Sequence, residues 1–350
     1  MKKNLQNKQH SLKPADRTAC SNPVKIAVFS YRSDEEEFFR EYAKQYDAQL
    51  VMIKDPPTPQ TAALAKGCCC ISIITTILHE KLLRQLSEEG VRFISTRTVG
   101  FDHIDRSAAR KLGMSVANVG YSPYSIADFT IMLMLMSLRN AKVTLQRYDV
   151  QDYSLRGLRG RELHDMTVGV IGTGTIGSAV IRQLSGFRCK ILAYDIAPDP
   201  ELNGLAEYVE LDRLYAESDI LTLHIPSSES NYHMLDSSVF AKVKRGCILI
   251  NTARGALVDN AALIDAVESG TVSAVGLDVL ENESDLYYSD YKAKILYHRN
   301  LLMLQSFPNV ILTPHVAFFT DHAVRDMVEQ SVKSCVEFAR WENETLPKAD

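Results

Sequence analysis

Val168-Gly-Val-Ile-Gly172-Thr-Gly174-Thr-Ile-Gly177 is the stretch that decides the reading of this chain. An apolar run stops at a GxGxxG triplet, and an amphipathic run with Ile176, Val180, Ile181 and Leu184 follows. A strand, a tight turn and a helix are therefore expected, each glycine with its own task. Gly172 makes the turn, Gly174 lets backbone approach a pyrophosphate, and Gly177 lets helix and strand pack closely. The amides of Thr175 and Ile176 would open the helix, where its dipole favours an anion. Asp195 ends the next apolar run, eighteen residues beyond Gly177. A carboxylate there accepts ribose hydroxyls and repels a 2′-phosphate, so the expected dinucleotide is NAD.

Strand-like and helix-like segments alternate on both sides of this motif. Upstream, strands are expected at 24–29, 50–53, 69–74, 93–95 and 115–118, with helices at 34–46, 80–88 and 105–111. Downstream, six strands are expected, at 167–171, 189–194, 220–224, 247–251, 273–277 and 310–312. Such alternation implies parallel sheets with crossover helices. A long apolar helix is expected over 122–147, a polar loop over 151–165 and a closing helix over 319–338. About 165 residues precede the glycine motif. The expected architecture is thus two doubly wound α/β domains around a cleft, with a Rossmann NAD domain (120–317) inserted into a flavodoxin-like substrate domain (24–119 and 318–350). Residues 1–23 are expected to be a disordered tail.

Composition removes several function classes. The chain has 350 residues, 46% hydrophobic and 23% charged, with a net charge of −4. That sign gives no whole-molecule attraction to nucleic acid. No apolar run reaches the roughly 18 residues of a membrane span, and the polar, basic first residues lack the apolar centre of a secretory signal. Seven cysteines, three of them consecutive (Cys68 to Cys70), suit neither a disulfide framework nor a zinc site. Buried thiols in a reducing cytoplasm, and no metal, are the expectation.

Ligands of open α/β sheets bind beyond the carboxyl ends of the strands. There the second half offers Asn251-Thr-Ala-Arg254-Gly, Asp278-Val-Leu-Glu-Asn-Glu283 and Thr313-Pro-His315. Arg254 has the planar fork that matches a carboxylate, and a histidine titrates near neutrality, as a proton donor to a carbonyl must. His224, also at a strand end, is the nearest rival to His315, and its turn is expected to wall the cofactor cleft.

In their order along the chain these motifs resemble the D-isomer-specific 2-hydroxyacid dehydrogenases, over about residues 24–340. The nearest resemblance is to the D-lactate dehydrogenases, in particular the branch found in vancomycin-resistance clusters. Ser95-Thr-Arg-Thr-Val-Gly100-Phe-Asp-His-Ile-Asp105, Tyr121-Ser-Pro123 and Tyr287-Tyr-Ser-Asp290 carry that closer match. The resemblance implies that Arg254 binds the substrate carboxylate, His315 is the acid/base, and Glu283 holds its ring and keeps it protonated. It places Val99 and Gly100 against the carboxylate and Tyr121 and Phe318 near the substrate. On the cofactor side it adds Ile225, Pro226, Asn231, Thr252, Ala253 and Asp278, the last near the nicotinamide carboxamide or ribose. It implies a homodimer, and reduction of pyruvate by NADH to D-lactate. Two alternatives stay open. One is a bulkier 2-oxo acid such as 2-oxoisocaproate or phenylpyruvate, because Phe319 stands where lactate-type relatives commonly have tyrosine. The other is an NAD-sensing corepressor without turnover.

Overall fold

The computed structural model describes residues 19–283, 286–288 and 290–345. The chain divides into two compact units, one of residues 1–122 with 320–350 and one of 123–319.

In the first unit five strands form one parallel sheet: β1 (Val24–Phe29), β2 (Ala48–Ile53), β3 (Cys70–Ile73), β4 (Phe93–Thr96) and β5 (Ser115–Asn118). Their order is β2-β1-β3-β4-β5, the flavodoxin-like winding. Every residue of β3 and β4 is buried, as expected for strands covered on both faces. One cover is the helix Asp321–Thr345, whose Val328, Val332, Cys335, Val336 and Ala339 share a core with Ile26, Val28, Cys69 and Cys70. Six of the seven cysteines are buried, and only Cys189 is partly exposed.

In the second unit β6 (Thr167–Ile171), β7 (Lys190–Tyr194), β8 (Glu207–Tyr208), β9 (Ile220–Leu223), β10 (Cys247–Asn251), β11 (Val272–Leu277) and β12 (Val310–Leu312) form a seven-stranded sheet. Its order is β12-β11-β10-β9-β6-β7-β8, and all its pairings are parallel. Counted from β6, this is the Rossmann order with one more strand, so the winding reverses between β6 and β9.

Several expectations are corrected. β8, absent from the six expected strands, is only two residues long and too short to leave a periodic signal. The helix expected over 122–147 is two helices, Tyr124–Leu138 and Ala141–Asp149. Between them Asn140 takes a left-handed φ of 49°, which asparagine tolerates better than most residues. The closing helix runs to Thr345 rather than 338. The expected tail lies outside the described residues up to 18, but Cys20 is docked. Its N–H donates to Asn343 Oδ1 at 2.8 Å, and Asn343 Nδ2 donates back to its carbonyl at 3.1 Å.

Candidate active site

The glycine turn after β6 forms as its spacing dictates. Gly172 has φ +96°, and a Cβ on it would lie 2.5 Å from the His224 carbonyl oxygen. On Gly177 a Cβ would lie 1.9 Å from the Gly172 carbonyl oxygen. Both glycines are thus required by the chain itself. A Cβ on Gly174 would meet nothing within 4 Å, so backbone there opens to whatever approaches. Gly174 caps the helix Thr175–Leu184, and its exposed surface and that of Thr175 suit a pyrophosphate at a helix start. Asp195 accepts from the Thr173 N–H at 2.6 Å and the Ala197 N–H at 2.9 Å, which fixes its carboxylate beside the turn. These features fit a dinucleotide.

The turn after β9 closes the other side of the switch point. His224 Nε2 lies 2.9 Å from Thr222 Oγ1, while Nδ1 is buried with no partner. Burial holds this imidazole neutral and pushes its pKa down to about 3. His224 is therefore a packed wall, with Ile225 and Pro226 following. Asn231 fastens that loop, donating to the Pro226 carbonyl at 2.8 Å and accepting from the Ser228 N–H at 2.7 Å.

After β10 the side chain of Asn251 staples the turn. It accepts from the Ala253 N–H at 3.0 Å and donates to the Arg254 carbonyl at 2.9 Å. Thr252, buried, lies 2.8 Å from Thr130. Gly255 is required by close approach: a Cβ there would sit 2.0 Å from the Leu280 carbonyl carbon. The Arg254 turn is thereby pressed against the segment that carries Glu283.

Glu283 and His315, 32 residues apart, meet directly. His315 Nδ1 lies 2.5 Å from Glu283 Oε1, and the Leu280 N–H donates to Oε2 at 2.5 Å. With Nδ1 taken, Nε2 is the ring nitrogen left for chemistry. His315 has φ 54°, a left-handed conformation uncommon outside glycine that histidine adopts more readily than most residues. Asp278 holds it. Fully buried, its carboxylate accepts from Thr313 Oγ1 at 2.6 Å and from the N–H groups of Val316 and Ala317 at 2.9 and 2.8 Å. Its carbonyl accepts the His315 N–H at 2.8 Å. The Asp278 carboxylate thus lies beneath the turn that carries His315. Its donors are drawn from 35 to 39 residues further along the chain, so no local pattern announced the role. Aromatic rings surround His315, with Phe318 at 6.3 Å and Tyr288 at 6.4 Å between centroids, and Phe319 at 5.9 Å from Phe318. The Tyr288 hydroxyl donates to the His315 carbonyl at 2.8 Å. Ser289 of the expected 287–290 match lies outside the described residues.

In the first unit Val99 and Gly100 follow β4. Their carbonyls are tied back, Val99 to Asn118 Nδ2 at 2.6 Å and Gly100 to Thr98 Oγ1 at 2.5 Å, so the N–H groups are what this loop offers an anion. Tyr121 lies just past β5, ahead of Ser122, whose N–H donates to Asp326 at 3.0 Å. One neighbour escaped the sequence reading. Arg97, between β4 and Val99, is fully buried and bonds Glu35 Oε1 at 3.0 Å, Ser72 Oγ at 2.9 Å and the carbonyls of Phe29 and Ser30 at 3.2 Å.

Residues 131–317 match the D-isomer specific 2-hydroxyacid dehydrogenase, NAD binding domain. The chain belongs to this family. It is 43% identical over 316 residues to a D-specific alpha-keto acid dehydrogenase of Enterococcus faecalis, covering 90% of this chain and 97% of the relative. An aromatic 2-oxoacid reductase of Clostridium sporogenes is 40% identical (90% and 96% covered), and a D-lactate dehydrogenase of Lactiplantibacillus plantarum 36% (90% and 96%). Among solved structures, the pyruvate reductase of Chlamydomonas reinhardtii superposes with a TM-score of 0.84 at 33% identity, covering 91% of this chain and 96% of that one. D-2-hydroxyisocaproate dehydrogenase superposes with 0.83 at 33% identity, covering 92% and 99%. This dehydrogenase is accordingly an NAD-dependent D-2-hydroxyacid oxidoreductase. Among the described residues no helix is long and apolar enough to cross a membrane.

Proposed function

We propose that this dehydrogenase reduces a 2-oxo acid with a side chain larger than methyl to the D-2-hydroxy acid. The observation that carries the chemistry is the Glu283–His315 contact, which commits Nδ1 and leaves Nε2 to serve the substrate. Arg254 takes the carboxylate in its planar fork, and the N–H groups of Val99 and Gly100 add to that grip. His315 gives the Nε2 proton to the C2 oxygen as charge develops there, while Glu283 holds the ring and stabilises the imidazolium. NADH, when bound, supplies the hydride to C2. The grip on NADH falls to Gly172, Gly174, Thr175, Ile176, Gly177 and Asp195, with Ile225, Pro226, Asn231, Thr252 and Ala253 lining the remainder.

Two observations support the larger side chain. Tyr288 and Phe318 flank His315, and Phe319 packs on Phe318. The relatives named for alpha-keto and aromatic 2-oxo acids also exceed the D-lactate dehydrogenase in identity. Pyruvate with D-lactate is the second reading, favoured by the superposition on the pyruvate reductase. Seven free thiols suit a reducing cytoplasm. Exposed Leu145, Tyr148, Val150, Tyr153 and Leu155 offer an apolar face for a homodimer.

NADH consumption with phenylpyruvate, 4-methyl-2-oxopentanoate and pyruvate, followed by chiral analysis, tests the assignment. A higher kcat/KM on a larger acid with D product is expected. Preference for pyruvate moves the name to D-lactate dehydrogenase, and NADH binding without turnover on any of them favours a sensor.

A further inference from the structure

Outside the residues already assigned, one cluster joins two catalytic segments. After β9 the chain reaches Tyr232 and His233, whose rings stack with centroids 3.9 Å apart. His233 holds a left-handed φ of 52°, again a conformation uncommon outside glycine. From that position it reaches two ways. Its N–H donates to the Ala256 carbonyl at 2.9 Å, on the Arg254 turn. Its Nε2 lies 2.8 Å from Glu281 Oε1, on the Glu283 segment, and the Tyr232 hydroxyl donates to that same oxygen at 2.7 Å. Asp259 Oδ2, 3.8 Å from Nδ1, faces the ring from its other edge.

We propose that His233, aided by Tyr232, is a positioning residue that locks the Arg254 turn to the Glu283 segment through Glu281. The inference rests on the reading of Arg254 as carboxylate anchor and of Glu283 with His315 as the proton-transfer pair. Gly255 brings the two segments into backbone contact at Leu280, and His233 fastens them from the next loop. Glu281 is two residues from Glu283, so freedom at one is passed to the other. An exposed pair at this distance would contribute little. Here the acceptor is mostly buried and shared by two donors, and Asp259 faces the ring's other edge at 3.8 Å.

The Arg254 turn keeps its Asn251 staple when the clamp is lost, so substrate binding should survive while proton transfer is misaligned. His233→Asn tolerates the left-handed backbone but falls short of Glu281. We expect kcat to fall about ten-fold, the scale of a sub-ångström misplacement, with KM for the 2-oxo acid within about two-fold and the melting temperature within about two degrees. Deuterium uptake in peptides covering 276–283 should rise. His233→Gln, which keeps an N–H donor within reach, should restore most of kcat and the protection. Unchanged kcat and uptake in His233→Asn would overturn the proposal. So would a loss of kcat, KM and melting temperature together that His233→Gln does not repair, since that marks plain structural damage. If the unaltered enzyme reduces no 2-oxo acid, the reading of the site fails, and the deuterium comparison still decides the clamp.

Discussion

The two units support the loops after β4 and β6 by different means. In the first, the loop after β4 rests on charge: Arg97, fully buried, is neutralised by a fully buried Glu35 and satisfied by Ser72 and two carbonyls. In the second, the loop after β6 rests on the absence of side chains, since Gly172 and Gly177 allow backbone contacts that any Cβ would break. Charge makes a support that one lost partner can ruin, because without Arg97 the buried Glu35 keeps, among the described residues, only Arg32, at 3.5 Å from its guanidinium and 2.9 Å from its N–H. Glycine makes a support whose failure is local to the turn.

That contrast can be broken in order of expected effect. Arg97→Met should cost the most, about 3–5 kcal/mol. The single tryptophan, Trp341, lies on the helix Asp321–Thr345 of the first unit, so its fluorescence in urea reads that unit. A clearly lowered midpoint is expected, and an unmoved one would mean that the buried pair carries no stability. Gly177→Ala should weaken NADH binding at least about ten-fold, or 1.4 kcal/mol, because helix and turn must separate. The Trp341 midpoint should stay in place, and a fall in it would dissolve the distinction between the units. At neutral pH the smallest effect concerns His224, and it grows only as the pH falls. Its folded pKa of about 3 lies below the ordinary value of about 6.5. The unfolded chain therefore binds the proton first as pH falls. The stability from keeping it neutral is complete above about 6.5 and declines toward pH 3, by at most about 1.4 kcal/mol per pH unit. His224→Gln should flatten the melting-temperature profile between pH 6.5 and 5, and an unchanged slope would remove this histidine from the acid sensitivity.

The same contrast explains what the sequence made legible. The glycine turn, its helix and Asp195 were readable because their contacts are local, and the strands because they are short, apolar and bounded by turns. The long-range supports were not. Glu35 and Arg97 are separated by 62 residues, His233 and Glu281 by 48, and Asp278 from Ala317 by 39. In each case neither partner sits in a pattern that names the other. Arg254, Glu283 and His315 stood out as charged or titratable groups at strand ends, yet the pairing of Glu283 with His315 came only from the family resemblance. The break at Asn140 was hidden by apolar positions that run through it at helical spacing.

The central claim is that His315, oriented by Glu283, moves the proton while the glycine turn holds NADH separately. Turnover and NADH binding measured side by side in His315→Gln test it directly. The account predicts that kcat falls by about 10²–10⁴ while the dissociation constant for NADH stays within about two-fold. A kcat within ten-fold of the unaltered enzyme would contradict it.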